Sequence, residues 1–223
     1  MTAASASAVC VLGGGLMGLA VAHQLARRDQ RVTVISRRRS EAAGFVAAGM
    51  LAPHAEGLSG NLLELGQASL ALIPRWVAQI EADSGLSCGL RTSGIVVPFR
   101  TATERDAYPT ASLGQTLDRT GLEREVPGLG PEWSTGLLFE QDGQIDNRRQ
   151  LMRALERACV SLGVRFMEGA EVLDLERESA GELCGIHLRS AEGGRCRGED
   201  LALRPQLHMG LKTDDGFPGL FRC

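Results

Sequence analysis

Aromatic side chains are scarce in this chain, at 4% of 223 residues, and no basic stretch is interleaved with them. Stacking on bases therefore has little to work with, and a formal net charge of −3 supplies no field for a polyanion, so no nucleic-acid partner is expected. The six cysteines, Cys10, Cys88, Cys159, Cys184, Cys196 and Cys223, contain no CxxC spacing, which points to reduced structural thiols in a cytosol rather than a disulfide framework. The four histidines, His23, His54, His187 and His208, show no ligand spacing either, and no metal site is expected. No apolar run approaches a membrane span, and Met1 to Ala8 has neither a charged leader nor an apolar core, so a soluble, cytoplasmic protein without a membrane partner is expected. There is no internal repeat and no low-complexity linker.

Glycine, by contrast, is plentiful, and its placement near the amino terminus carries chemistry. Val9 to Leu12 is a short apolar run, followed by Gly13, Gly15 and Gly18 in GxGxxG spacing and by Ala22. In a strand–turn–helix unit the first glycine permits the tight turn, the second lets backbone approach a pyrophosphate, and the third allows the helix to lie close to the strand. The helix N-terminus then offers N–H groups and the positive end of its dipole to an anion. Context supports the motif, because residues 16–28 have an amphipathic helical period ending in Arg27-Arg28, and Arg31 to Ser36 is a β-branched strand. Residues 9–36 read as the first βαβ of a doubly wound sheet.

At the end of that second strand a carboxylate would accept ribose hydroxyls. Here Ser36 is followed by Arg37, Arg38 and Arg39. Arginine at this place suits a 2′-phosphate and opens an NADP reading, whereas Ser36 can still bond a ribose hydroxyl and Arg37 can lie over an adenine or pair with the pyrophosphate. Arg38 and Arg39 read more simply as a solvated basic turn. Downstream, Ala47 to Glu56 runs AAGMLAPHAE, a stretch of small residues that lets backbone press against a flat ring.

The combination of GGGLMGLA, VISR and AAGMLAPHAE resembles the glycine oxidases of the thiamine pathway, within the D-amino-acid oxidase-like family of FAD-dependent amine oxidases. The resemblance implies that Ala48, Gly49 and Met50 contact flavin, that Leu16 and Met17 sit at the pyrophosphate with Gly13, Gly15 and Gly18, and that Ser36 and Arg37 take the adenosine ribose. It further implies that Val172 presents its backbone to the adenine; its alternative is an ordinary strand residue. Phe45-Val46 departs from the smaller or polar residues that the family carries before the AAGM run.

Further along, Leu62 to Ile80 is apolar at helical spacing, with Pro74 read as a kink or break and Trp76 as core. Ser93 to Phe99 reads as a strand, residues 103–119 as a poorly formed helical stretch, and Ser134 to Glu140 as a strand turning at Asp142-Gly143 like a hairpin. Asp146 is placed to cap a helix over 151–162 that Gly163 closes. Val164 to Met167 and Ala170 to Glu176 return to strands, and Leu183 to Arg189 forms the partner strand of a meander. Glu199 to Leu203 begins like a strand returning to the sheet, while residues 204–223 read as a divergent tail.

The expected fold is α/β, a Rossmann-like FAD-binding domain (residues 1–60 and 160–203) with an inserted, incomplete α+β substrate domain (61–159). The family's carboxylate-clamping arginine, nearby tyrosine and late glycine-rich flavin loop have no counterpart. Arg91 and Arg100 are near the substrate domain but read as solvated, so no catalytic residue is assigned. The resemblance implies oxidative deamination of glycine or a similar small amine or amino acid, with oxygen as acceptor. A non-catalytic truncated FAD-binding fragment and an NADP-linked reductase are the alternatives.

Overall fold

A computed structural model describes residues 8–145, 147–177, 183–190, 195–197 and 221–222. Strand β1 (Ala8–Leu12), helix α1 (Leu16–Ala26) and strand β2 (Arg31–Ser36) form the expected βαβ unit, with β1 and β2 parallel and Leu12 opposite Ile35. Residues 32–36 are buried in an unbroken run, as befits a strand covered on both faces. Leu19, Ala22, His23 and Ala26 are the buried face of α1, spaced at i, i+3, i+4 and i+7.

The chain then builds β3 (Met50–Leu51), α2 (Gly60–Ser84), β4 (Leu90–Arg91), β5 (Ile95–Phe99), α3 (Ala102–Asp106), β6 (Gln115–Leu117), α4 (Arg119–Glu125), β7 (Thr135–Phe139) and β8 (Gly143–Ile145). Helix α5 (Arg148–Ser161), β9 (Arg165–Glu168), β10 (Ala170–Arg177), β11 (Leu183–Ser190), β12 (Arg195–Arg197) and β13 (Phe221–Arg222) complete the described elements. Two compact units result. One comprises Met1–Ala47, Ala82–Leu86 and Met152–Cys223, the other Ala48–Glu81 and Ser87–Leu151.

The first unit holds a four-stranded sheet in the order β13-β1-β2-β9, parallel across β1, β2 and β9, and a meander β10-β11-β12. Cys10, Ile35, Ala170, Ile186 and Leu188 form one buried cluster, against which Leu12, Met167, Val172 and Leu175 pack. Fully buried His23 accepts or donates at 2.8 Å to Asp83, which also receives Arg27 at 2.6 Å, tying α1 to the 82–86 segment. Burial works to raise the Asp83 carboxyl, but hydrogen bonds from Arg27 and His23 prevail and hold it below its ordinary value. Cys159 is buried and donates to Leu19 O; burial pushes its thiol up to about 12.

In the second unit the sheets are β3-β8-β4 and β5-β7-β6, with Phe99, Leu137 and Phe139 at the core of the latter. Cys88 is buried there, its thiol pushed up to about 11 by desolvation and by Glu81.

Three sequence expectations change. Pro74 lies inside one continuous helix, because its missing N–H removes a single backbone bond from 25 residues. The 103–119 stretch contains β6, and Asp118, by accepting from Gly121 N at 2.7 Å, caps the separate helix α4. Strands β7 and β8 do not pair with each other: Asp142 N bonds Phe139 O in a tight turn, but the chain passes between sheets there. Asp146 lies outside the described residues, and Asn147 accepts from Gln150 N at 3.2 Å at the start of α5. Gly163, at φ +79°, ends that helix as expected. Glu199 to Leu203 also lies outside the described residues.

Candidate functional site

The glycine turn of the first unit floors a cavity of about 720 Å³ lined by residues 12–18, 36–39, 41–44 and 47. Gly13 takes φ +105°, open to glycine alone at low cost, and its N–H is bonded to Ile35 O at 2.8 Å, which pins the turn to β2. A Cβ on Gly18 would overlap the Gly13 carbonyl oxygen and lie 3.3 Å from Val11 Cγ1, so α1 sits as close to β1 as a bare backbone allows. A Cβ on Gly15 would meet only Ala42 Cβ, at 3.8 Å. That position is bare for a different reason: it faces open space. Gly15 is also the N-cap of α1 with no side-chain cap, which leaves the first N–H groups of the helix available to an anion.

Gly13, Gly15, Leu16, Met17, Gly18, Ser36 and Arg37 are thus brought together around one cavity. Met17 is 75% exposed. Val172 is not among the lining residues; it is half-buried in β10, opposite Leu188 and packed on the cluster around Cys10 and Ile35.

The arginines after β2 are not a bare basic turn. Arg38 is ion-paired with Glu41, and Arg37 lies 3.9 Å from Glu41 and 3.7 Å from Glu171. Glu171 is held below its ordinary value by the hydrogen bond and charge of Arg189, with Arg37 adding to the effect. Arg39, expected to be solvated, is only 24% exposed: its Nε bonds Glu168 at 2.6 Å, its guanidinium is 3.7 Å from Glu156, and it lies over the Phe166 ring at 4.2 Å. Its stem covers Gly14, where a Cβ would come within 2.7 Å of Arg39 Cδ. Four guanidinium groups (Arg37, Arg38, Arg39 and Arg189) interleave with four carboxylates (Glu41, Glu156, Glu168 and Glu171), so this network carries no surplus positive charge for a 2′-phosphate.

Ala48, Gly49 and Met50 belong to the second unit. Gly49 takes φ +87° and its carbonyl accepts from Ile145 N at 2.8 Å, while Met50 pairs with Gln144 in the ladder and is 53% exposed. Just beyond it the chain is fixed by a network that sequence reasoning missed. Asp142 is fully buried; its Oδ1 accepts from His54 Nδ1 at 2.6 Å and its Oδ2 from Ala55 N at 2.7 Å. Gln67 reaches His54 Nε2 at 3.1 Å, Thr110 donates to His54 O at 2.6 Å, and Tyr108 donates to Ala55 O at 2.7 Å. The signal available in the sequence was a histidine in the small-residue run 47–55, but Asp142 stands in a polar turn and nothing local pairs residues 88 positions apart.

Arg91 is exposed in β4, and Arg100, also exposed, lies 5.6 Å from the Trp133 ring. Among the described residues no group of three His, Cys, Asp or Glu side chains converges as for a metal, and no helix is long and apolar enough to cross a membrane.

The family model described as DAO, FAD dependent oxidoreductase, matches residues 8–198. The bifunctional protein ThiO/ThiG of Synechocystis sp. is 39% identical over 169 residues, which is 74% of this chain and 25% of that protein. Glycine oxidase of Geobacillus kaustophilus is 28% identical over 207 residues, 87% of this chain and 53% of that one. The solved structure of glycine oxidase from the same organism matches with a TM-score of 0.71 at 24% identity, over 91% of this chain and 60% of that one, which shows the fold. The chain therefore spans a quarter to about half the length of these curated relatives. Its parallel sheet, glycine turn and matched residues together place it in the DAO family of FAD dependent oxidoreductases, whose cofactor is FAD.

Proposed function

We propose that this chain serves the FAD-dependent oxidative deamination of glycine or a similar small amine or amino acid, with oxygen as terminal acceptor, in thiamine biosynthesis in the cytoplasm. The observation that carries the reading is the cavity on the glycine turn within a chain of this family. Its residues fit the cofactor: an uncapped helix start and a bare Gly15 suit a pyrophosphate, and Ser36 and Arg37 line the cavity beyond it. The relatives named glycine oxidase and ThiO/ThiG support the substrate class and the pathway.

In this reading residues 1–60 and 160–203 are the FAD-binding domain and 61–159 begin the substrate domain. Gly13, Gly15, Leu16, Met17 and Gly18 bind the pyrophosphate, Ser36 and Arg37 the adenosine ribose, Val172 the adenine through its backbone, and Ala48, Gly49 and Met50 the flavin ring. Bound there, FAD would supply the acceptor for a hydride from the carbon bearing the amine. The chain's own residues bind and orient: the helix start offers N–H groups to the pyrophosphate, and the Gly49 carbonyl, bonded to Ile145 N, keeps the 48–50 backbone fixed. Loading the purified protein with FAD and adding glycine in air tests the proposal. Peroxide that depends on both additions is expected, while absence of peroxide together with unbleached flavin absorbance under anaerobic glycine overturns it.

A further inference from the structure

Strand β2 ends in Ser36, where dinucleotide-binding folds place the carboxylate that accepts ribose hydroxyls. The nearest carboxylate in register is Glu168, opposite Ser36 on β9, but it does not line the cavity and both its oxygens are engaged by Arg39, through N–H at 2.8 Å and Nε at 2.6 Å. One carboxylate does line the cavity: Glu41. It sits five residues past the strand on the 3-10 turn Arg39–Glu41, whose backbone bond from Glu41 N to Arg38 O holds it in place. Its Oε1 accepts from Arg38, while its Oε2 has Arg37 at 3.9 Å, beyond hydrogen-bond reach. Among the described residues Oε2 therefore keeps its acceptor capacity, in a half-exposed side chain whose orientation two arginines restrain.

We propose that Glu41 takes over the work of the missing strand-end carboxylate: it accepts the adenosine ribose hydroxyls of FAD and excludes a nucleotide phosphorylated at the 2′ position. A ribose 2′-hydroxyl donates to Oε2, whereas a 2′-phosphate would bring two like charges together beside it, in a network where every guanidinium already faces a carboxylate. Arg37 and Arg38 then act as restraints on Glu41 rather than as phosphate ligands. The inference rests on the reading that this cavity takes FAD.

The test measures dissociation constants of FAD, 5′-ADP and 2′,5′-ADP for the wild-type chain, for Glu41→Gln, and for Glu171→Gln, which removes the same charge from the same network outside the cavity lining. Circular dichroism confirms folding, which substitution at this exposed position should not disturb. Glu41→Gln should weaken FAD and 5′-ADP by about tenfold or more and narrow the preference over 2′,5′-ADP, as loss of a charged hydrogen bond requires. Glu171→Gln should weaken binding clearly less than Glu41→Gln does, because its carboxylate lies outside the cavity lining and acts only through Arg37. Unchanged binding in Glu41→Gln, or equal losses in both variants, overturns the role of Glu41. Wild-type chain that binds neither FAD nor 5′-ADP instead overturns the cofactor reading on which it stands.

Discussion

Replacing Gly18 and Gly15 separately by alanine should split packing from binding. At Gly18 the new methyl would overlap the Gly13 carbonyl oxygen and lie 3.1 Å from the Gly13 carbonyl carbon, so either α1 or the turn must move. The turn is not free to move, since Gly13 N is bonded to Ile35 O at 2.8 Å and Gly13 sits at φ +105°. Overpacking of this kind costs about 1–3 kcal/mol, of which the better helix propensity of alanine returns up to about 1 kcal/mol. Gly18→Ala should therefore lower unfolding free energy by about 1–2 kcal/mol in urea titration, and FAD affinity with it. At Gly15 the methyl meets only Ala42 Cβ at 3.8 Å and φ is −80°, so the stability change should be limited to the weaker N-cap preference of alanine, about 0.5 kcal/mol. Yet that methyl enters the cavity where the pyrophosphate would approach, and displacing it should weaken FAD at least about tenfold, or 1.4 kcal/mol. Equal stability losses in the two variants would show that Gly18 does not set the approach of α1 to β1, and a Gly15→Ala chain that binds FAD as wild type does would show that the pyrophosphate does not approach at Gly15.

Other outcomes follow from the two units. Asp142→Ala strands His54 Nδ1 and Ala55 N without their buried acceptor, at about 1–3 kcal/mol for each unpaired group, and should lower the urea midpoint well beyond any surface substitution. The lowered Asp83 carboxyl contributes stability that is present above its unfolded value, near 3.8, and is lost as pH falls through the still lower folded value; stability measured from pH 6 to 3 should drop less steeply below about pH 4 in Asp83→Asn. Cys88 and Cys159, raised to about 11 and about 12, should resist thiol reagents at pH 8 in the folded chain and react on unfolding; rapid native labelling at either would contradict their burial.

The local unit was legible because its determinants are consecutive. A strand, three spaced glycines, an amphipathic helix and a β-branched strand over residues 9–36 need no distant partner to be read, and the βαβ with its cavity follows. What failed depended on distance. Residues 134–143 look like a hairpin because the turn is local, whereas β7 pairs with β5 and β6 and β8 with β3 and β4, all well upstream in the chain. Arg39 reads as solvated until β9 and α5 supply Phe166, Glu168 and Glu156. The same holds for Glu41, which has no motif value five residues past a strand and acquires one only by lining the cavity.

On the proposed reading the backbone of residues 13–18 receives the pyrophosphate, and side chains such as Glu41 serve only the ribose end of the same cavity. Titrating FAD into the purified chain while following flavin fluorescence tests it most directly, with 5′-ADP as competitor. Saturable binding of one FAD per chain, displaced by 5′-ADP, is expected. Absence of binding, or binding that 5′-ADP leaves untouched, would contradict it.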